Sequence, residues 1–174
     1  MKIVNLAFVF LLLTGAALAQ RDDDDFVGQK APEFKSDVWI NSAPLKLSAL
    51  RGKVVLIEFW AFDCPNCAEA MPHVMELHKK YAKDGLVVIG VHTPRIDREK
   101  DLAKVREAVK TKGIPYAVVV DNNYSIWSDY ACDAWPNLYV VDQEGVIRLS
   151  HTGVGRYEDI DKTVQKLLAR KTGK

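Results

Sequence analysis

The sequence predicts an α/β fold in which a mixed central β-sheet is flanked by helices. Two observations lead to it: strand-like apolar runs alternate with amphipathic helical segments, and two strand-like runs near the end of the chain flank a tight-turn sequence. Parallel strands joined by helices form the centre of such a sheet, and a terminal hairpin adds antiparallel strands. With 174 residues, the chain is long enough for one domain with a substantial core.

The first half of the chain supplies four of these elements. Residues 38–47, interrupted by an Asn-Ser-Ala-Pro turn sequence, predict an N-terminal β-hairpin extension. The nearly continuous apolar run Val54–Trp60 predicts a buried strand, as does Leu86–His92. Between them, Cys64–Ala82 has apolar residues near helical spacing and predicts a helix with a kink at Pro72.

The second half continues the alternation and ends on the hairpin and a helix. In chain order, the sequence predicts a helix at Asp101–Lys112 stopped by Gly113, a strand at Tyr116–Val120, a short helix at Tyr124–Tyr130, a hairpin formed by Asn137–Val141 and Val146–Thr152, and an amphipathic helix at Asp159–Ala169.

Residues 1–19 have the pattern of a secretory signal peptide. Lys2 precedes a short apolar stretch, and an Ala-Leu-Ala sequence ending at Ala19 supplies the cleavage signal. An uncleaved N-terminal anchor is the alternative. Residues 20–29, rich in aspartate, are expected to form an acidic flexible leader, and residues 30–174 the folded domain. The predicted location is periplasmic or secreted, with a soluble protein after signal cleavage.

The charge balance argues against nucleic-acid and acidic-membrane partners. The formal net charge is +1, and removal of the signal would take away Lys2 and leave a neutral chain. A neutral chain has no basic surface field to attract phosphates. We find no internal repeat and expect a monomer.

Cys64-Pro65-Asn66-Cys67 lies where a predicted strand gives way to a helix. The amides and partial positive charge of a helix N-terminus stabilise a thiolate at Cys64, and Cys67, one turn further, could resolve a mixed disulfide. A permanent structural disulfide is the alternative. A zinc site would need four ligands, and the chain has neither a second C-x-x-C nor histidines at ligand spacing, so we expect no metal and no other cofactor.

Two further polar residues occur in the buried strands. Glu58 is the only charged residue of Val54–Trp60, and because an unpaired buried carboxylate is costly, it should have a raised pKa or a specific partner unless the strand twists it into solvent. His92 ends the parallel strand at the sheet edge that carries Cys64. It could tune the thiolate or contact substrate, or simply make a local hydrogen bond.

Several motifs together resemble the thioredoxin fold: Phe59-Trp60-Ala61 before the cysteine pair, Pro72 after it, and Trp135-Pro136 before a strand. The segments 27–34 and 47–53 are similar to the TlpA-like and redoxin branch. The stretches that resemble the C-terminal thioredoxin-like domain of DipZ-type thiol-disulfide interchange proteins are Gly90–Pro94, Val120–Tyr124 and Gly153–Tyr157.

This resemblance implies a thiol-disulfide oxidoreductase, and the signal-like residues 1–19 make it an exported one. The resemblance also implies that Glu58 accepts the proton of Cys67, that Pro136 is a cis proline facing the disulfide, and that Trp135 is a substrate platform, with core packing as the alternative for Trp135. The third cysteine, Cys132, aligns with a position usually held by a buried aliphatic residue, which favours an inert core thiol over a reactive one.

Asp63 stands where thioredoxins have tryptophan. Its negative charge should raise the pKa of the Cys64 thiol, which favours a reductant over a strong oxidant. The implied partners are cysteine-containing exported proteins and an upstream thiol donor, for which a membrane-embedded protein is one option. Two other classes stay open, a redoxin-type thiol peroxidase and a non-catalytic thioredoxin-fold binding module. Against the peroxidase, Ala61 lies where such enzymes need a hydroxyl.

Overall fold

The computed structural model of the protein describes residues 26–170, so the predicted signal peptide and residues 20–25 of the predicted leader lie outside the described residues. The strands are Trp39–Ile40 (β1), Val54–Trp60 (β2), Leu86–His92 (β3), Ala117–Val120 (β4), Asn137–Val141 (β5) and Ile147–Thr152 (β6). The α-helices are Pro65–Tyr81 (α1), Leu102–Thr111 (α2), Ser125–Asp129 (α3) and Tyr157–Leu168 (α4), and 3₁₀ helices lie at Leu47–Leu50, Ala82–Asp84 and Asp97–Lys100.

The strands form one mixed sheet in the order β1-β4-β3-β2-β5-β6. At its centre, β2 pairs in parallel with β3 and antiparallel with β5. All seven residues of β2 are buried, which explains its continuous apolar sequence. The predicted mixed sheet flanked by helices, with a thioredoxin-like topology, is confirmed.

The two faces of the sheet are covered by different elements. One face packs against α1, α2 and α4, whose buried residues include Met71, Val105 and Ile160. Since β2, β3 and β4 are neighbours in order and are joined by α1 and α2, right-handed crossovers place both helices on this face. The opposite face packs against α3 and the segment before β1.

The N-terminal hairpin is the wrong part of the predicted fold. Only β1 forms, and it pairs antiparallel with β4 rather than with the segment that follows it. Asn41, at φ 65°, turns the chain, and its side-chain amide donates to the carbonyl of Ile114 at 2.8 Å. The expected second arm instead enters a 3₁₀ helix because Glu33 accepts hydrogen bonds from the amides of Leu47 (2.7 Å) and Ser48 (2.6 Å).

The start of the domain lies earlier than the sequence suggests. Residues 26–29, assigned above to the leader, pack against β6: the amide of Gly28 donates to the Ile147 carbonyl at 2.8 Å, and the Ile147 amide donates to the Gln29 carbonyl at 2.9 Å. Phe26 also lies edge-to-face on Tyr139. Across residues 26–170, no helix has the length and apolar character needed to cross a membrane.

Candidate redox-active site

The cysteine pair lies where β2 leads into α1. Cys64 and Cys67 form a disulfide, with their Cα atoms 5.2 Å apart. Cys64 is the N-cap of α1, and its Sγ accepts a hydrogen bond from the backbone amide of Cys67 at 3.1 Å. Pro65 is the first helical residue, a position where its missing N–H costs nothing. Cys64 keeps 4% of its surface exposed and Cys67 1%, so Cys64 is the outer sulfur.

The loop before β5 faces this pair. The Trp135–Pro136 peptide bond is cis, as the resemblance implies. The half-buried Trp135 donates its indole N–H to the carbonyl of Thr93 at 3.0 Å and stacks on Trp127 with ring centroids 4.0 Å apart. Trp135 therefore packs on the protein and still offers surface to a ligand, and its substrate role stays a prediction.

A groove of about 320 Å³ lies at Cys64. Its lining residues are Cys64, Pro65, Asn66, Arg95, Asp133, Ala134 and Trp135. An extended chain laid in this groove would bring its own sulfur against Cys64, the outer member of the pair.

Glu58 is fully buried, which excludes the alternative in which it reaches solvent. Side chains alternate along β2, so Glu58 lies on the same sheet face as Trp60 and the buried side of α1, the face that holds Cys67. Tyr116 donates its hydroxyl to Oε2 of Glu58 at 2.9 Å, while Oε1 has no hydrogen-bond partner among residues 26–170. Burial raises the pKa of Glu58 to about 7, and the Tyr116 hydrogen bond opposes that rise in part.

Two neighbours of Glu58 were missed by the sequence reasoning. The sequence pattern predicts Tyr116 in a strand and gives it no role, and Gly90 stands out only as part of the stretch Gly90–Pro94. Gly90 lies opposite Glu58 in the β2–β3 register, and a Cβ there would come within 2.9 Å of the Trp60 indole nitrogen and 3.3 Å of the Tyr116 ring. The glycine thus leaves room beside Glu58 for the Trp60 and Tyr116 side chains.

His92 does not line the groove, so its expected contact with substrate is not supported. Its side chain is fully buried between Trp60 and Phe62, with ring centroids 5.0 Å and 5.7 Å away. Neither ring nitrogen has a hydrogen-bond partner among residues 26–170, so the local hydrogen bond expected as the alternative is also absent there. Burial lowers the pKa of His92 to about 4, which keeps the ring neutral near neutral pH.

The charge of Asp63 is balanced, contrary to the simple expectation from sequence. Its carboxylate forms an ion pair with Arg98, so the expected effect on the Cys64 thiol is offset. Its backbone amide donates to Glu99 at 3.0 Å, and its carbonyl accepts from Arg95 at 3.3 Å. Sequence reasoning missed these three residues. The sequence signal for them was a stretch rich in charged residues that begins at Arg95, shortly after β3. Because β3 and β2 end at the same edge of the sheet, this stretch lies near the loop that carries Cys64.

Cys132 belongs to a different core cluster from Cys64 and Cys67. It is buried in the core on the opposite sheet face from α1, with its Sγ 3.7 Å from the hydroxyl of Tyr139. This placement agrees with the expected core thiol, whose lack of reactivity stays a prediction. No group of side chains within residues 26–170 is arranged to hold a metal ion.

Comparison with known proteins places this geometry among redox proteins. Residues 27–150 match the AhpC/TSA family. The chain is 42% identical over 142 residues to protein DipZ of Mycobacterium bovis, a match covering 79% of this chain and 20% of that protein. It is 31% identical over 142 residues to thiol-disulfide oxidoreductase YkuV of Bacillus subtilis, covering 81% of this chain and 95% of that protein.

A solved structure of a thioredoxin-like superfamily protein superposes with a TM-score of 0.77 at 26% identity, covering 83% of this chain and 99% of that chain. The match therefore spans nearly the full length of YkuV and of this thioredoxin-like protein, but only a fifth of protein DipZ.

Proposed function

The chain belongs to the AhpC/TSA family, and from that membership we propose that it is a thiol-disulfide oxidoreductase whose working groups are Cys64 and Cys67. The observation that carries this proposal is the pair itself: two cysteines at bonding distance on the first turn of α1, with the outer sulfur accepting a backbone N–H. The same amide would hold a Cys64 thiolate in the reduced protein.

The reaction is two successive exchanges. The Cys64 thiolate attacks one sulfur of a substrate disulfide, which forms a mixed disulfide and releases one substrate thiolate. Cys67 then attacks Cys64, which releases the second substrate thiol and closes the Cys64–Cys67 disulfide. Glu58 takes the proton from Cys67 in this second step, because a carboxyl with a pKa of about 7 is partly ionised near neutral pH.

The direction and setting of the reaction belong to the same proposal. The protein acts as a reductant of disulfides in exported, cysteine-containing proteins, and an upstream thiol donor restores its dithiol. A base for the resolving thiol supports this direction, whereas Asp63 does not, because its charge is paired with Arg98. Export rests on the signal-like residues 1–19, and fusion of this segment to a periplasmic reporter enzyme tests it.

Insulin reduction by dithiothreitol tests the activity. The wild-type protein should accelerate the reaction, and Cys64→Ser should abolish the acceleration. Cys67→Ala should accumulate mixed disulfides on Cys64, and their mass identifies the partners. Cys132→Ala is the matched control, since Cys132 is buried on the other sheet face, and it should keep the activity. Equal rates for wild type and Cys64→Ser would remove the proposal.

The direction has its own measurement. Equilibration with glutathione buffers should give a reduction potential nearer to the roughly −270 mV of thioredoxin than to the roughly −120 mV of a strong oxidant such as DsbA. A value near the oxidant would reverse the proposed direction and leave the enzyme class intact.

A thiol peroxidase is the second candidate, favoured by the AhpC/TSA match itself. Peroxidase chemistry would need only Cys64, whereas the proposed exchange needs both cysteines. Peroxide consumption that survives Cys67→Ser would therefore favour the peroxidase. Its loss in that variant, together with insulin reduction by the wild type, favours the oxidoreductase.

A further inference from the structure

We propose that Arg95 and Asp133 give the groove a direction for substrate binding. The groove prefers protein disulfides in which a carboxylate flanks the reactive cysteine on one side only, and that carboxylate lies against Arg95. This inference rests on the proposed function and adds a substrate preference to it. Both residues line the groove of about 320 Å³ that contains Cys64.

The topology puts the two charges on opposite sides of the cysteine pair. β3 and β5 are the two neighbours of β2. Because β3 is parallel to β2, it ends at the edge where β2 leads to Cys64, and Arg95 follows it. Because β5 is antiparallel, it begins at that same edge, and Asp133 precedes it. A chain that crosses Cys64 therefore meets a cation on one side and an anion on the other.

Arg95 is fixed relative to the cysteine loop by a buried carboxylate. Glu99 has no exposed surface, and its Oε2 accepts the backbone amides of Arg95 (2.5 Å) and Ile96 (3.2 Å). Its Oε1 accepts the amide of Asp63, the residue before Cys64, at 3.0 Å. The Arg95 guanidinium also donates to the Asp63 carbonyl at 3.3 Å. These bonds join the loop after β3 to the loop that carries Cys64.

Arg95 is also the cation of this loop that is left for a ligand. Arg98 is neutralised by Asp63, whereas the exposed Arg95 forms no ion pair with a carboxylate in the part of the chain that the structure describes. One of its N–H groups is used by the Asp63 carbonyl, and a guanidinium has five. The remaining donors suit a carboxylate, which an arginine can bind through two parallel hydrogen bonds.

The exposed Ile96 adds to the same side. Its residue surface is 50% exposed, the highest value among the large exposed apolar residues of the described chain. A bound segment would therefore find an apolar contact next to the cation. The occupant we commit to is an extended segment of a partner protein with Asp or Glu beside its disulfide-bonded cysteine.

Two peptides of identical composition test this preference. Each has one cysteine disulfide-bonded to the same small neutral thiol, with Asp on one side of the cysteine and Lys on the other, and the order is reversed between the two. A third peptide has Asn and Gln in those places. The wild-type protein should reduce one isomer about two to five times faster than the other, the range expected for a partly exposed ion pair.

The ratio of the two rates is the measurement, because damage to the fold lowers both rates together. Arg95→Gln should lower the ratio and leave only the part that Asp133 contributes, Arg95→Lys should keep more of the ratio than Arg95→Gln does, and about 0.5 M salt should reduce it. Lys166→Gln removes the same charge from the exposed side of α4 and should leave the ratio unchanged.

Two results would overturn the inference: equal rates for both isomers with the wild-type protein, or a rate ratio that Arg95→Gln leaves undiminished. In either case, reduction of the neutral peptide would show that the proposed function still holds. If the wild-type protein reduced none of the three peptides and did not reduce insulin, the proposed function itself would fail.

Discussion

At the scale of single residues, Glu58 is a buried acid that should leave a signature in stability as well as in catalysis. Its pKa is about 7 in the folded protein, raised by burial from the ordinary 4.5. The folded state therefore holds a proton that the unfolded chain releases near pH 4.5. Stability from this group is complete below about pH 4.5 and is lost as pH rises to about 7, by an amount on the order of 3 kcal/mol.

Glu58→Gln should remove this dependence. Relative to wild type, the variant should gain on the order of 3 kcal/mol in free energy of unfolding between pH 4.5 and pH 8, as measured by urea denaturation of the oxidised proteins. The difference between the two proteins is the quantity to follow, since the low pKa of His92 contributes an opposite slope to both. A flat difference would mean that Glu58 titrates as an ordinary carboxyl.

Tyr116→Phe supplies the companion measurement. The Tyr116 hydroxyl donates to Glu58 and lowers the pKa of that carboxyl, so its loss should raise the pKa further. The pH range over which stability falls should then extend upward rather than disappear.

The burial of Glu58 could be predicted because it is the only charged residue in an apolar strand whose neighbours on both sides are expected to be buried. Tyr116 could not be assigned as its partner, because strand periodicity gives the face of a residue but not which residue on a neighbouring strand it meets. His92 was placed at the correct edge, yet burial by Phe62 depends on a loop conformation that no local pattern encodes.

At the scale of elements, the packing of β3 against β2 depends on Gly90. A Cβ at this position would lie 2.9 Å from the Trp60 indole nitrogen, so Gly90→Ala should cost about 1–3 kcal/mol of unfolding free energy through overpacking. Combining it with Trp60→Phe, which removes that nitrogen, should recover part of the loss. Additive effects in this double-mutant cycle would show that the overpacking does not involve the Trp60 indole nitrogen.

The loop that carries Arg95 offers a second prediction at this scale. Glu99→Gln replaces one acceptor oxygen with an NH₂ group that faces a backbone N–H, so one segment held by Glu99 should be released. We expect a loss of about 1–3 kcal/mol and faster hydrogen exchange at Asp63, Arg95 or Ile96. Exchange that rises equally across the domain would indicate global destabilisation instead of release of these loops.

The predicted N-terminal hairpin does not form because of a contact between segments that are distant in sequence. A turn sequence between two apolar runs is typical of a hairpin, but the second run begins a 3₁₀ helix whose first amides donate to the Glu33 carboxylate, 14 residues before Leu47. The central strands β2 and β3 were predicted with their observed bounds. Each is buried on both faces, so its sequence is a continuous apolar run that begins and ends with the strand.

At the scale of the whole molecule, the sheet has two edges, β1 and β6, and an open edge invites pairing with another chain. The segment of residues 26–31 covers the start of β6 through the hydrogen bonds at Gly28 and Gln29, and a further one joins the Ala31 amide to the Gly145 carbonyl at 3.0 Å. This segment connects the N-terminus to the hairpin formed by the last two strands, a contact that distant sequence positions alone could not reveal.

A chain that begins after Ala31 should therefore be less stable and more prone to associate than a chain that begins at Phe26. Its loss of three backbone hydrogen bonds and of the Phe26–Tyr139 contact should lower the free energy of unfolding by about 2 kcal/mol. The exposed start of β6 should also make its sedimentation depend on concentration. Insulin reduction by the remaining folded fraction should persist, since the groove lies on the other side of β5. Equal stability and a monomer for both chains would show that this segment does not protect the edge.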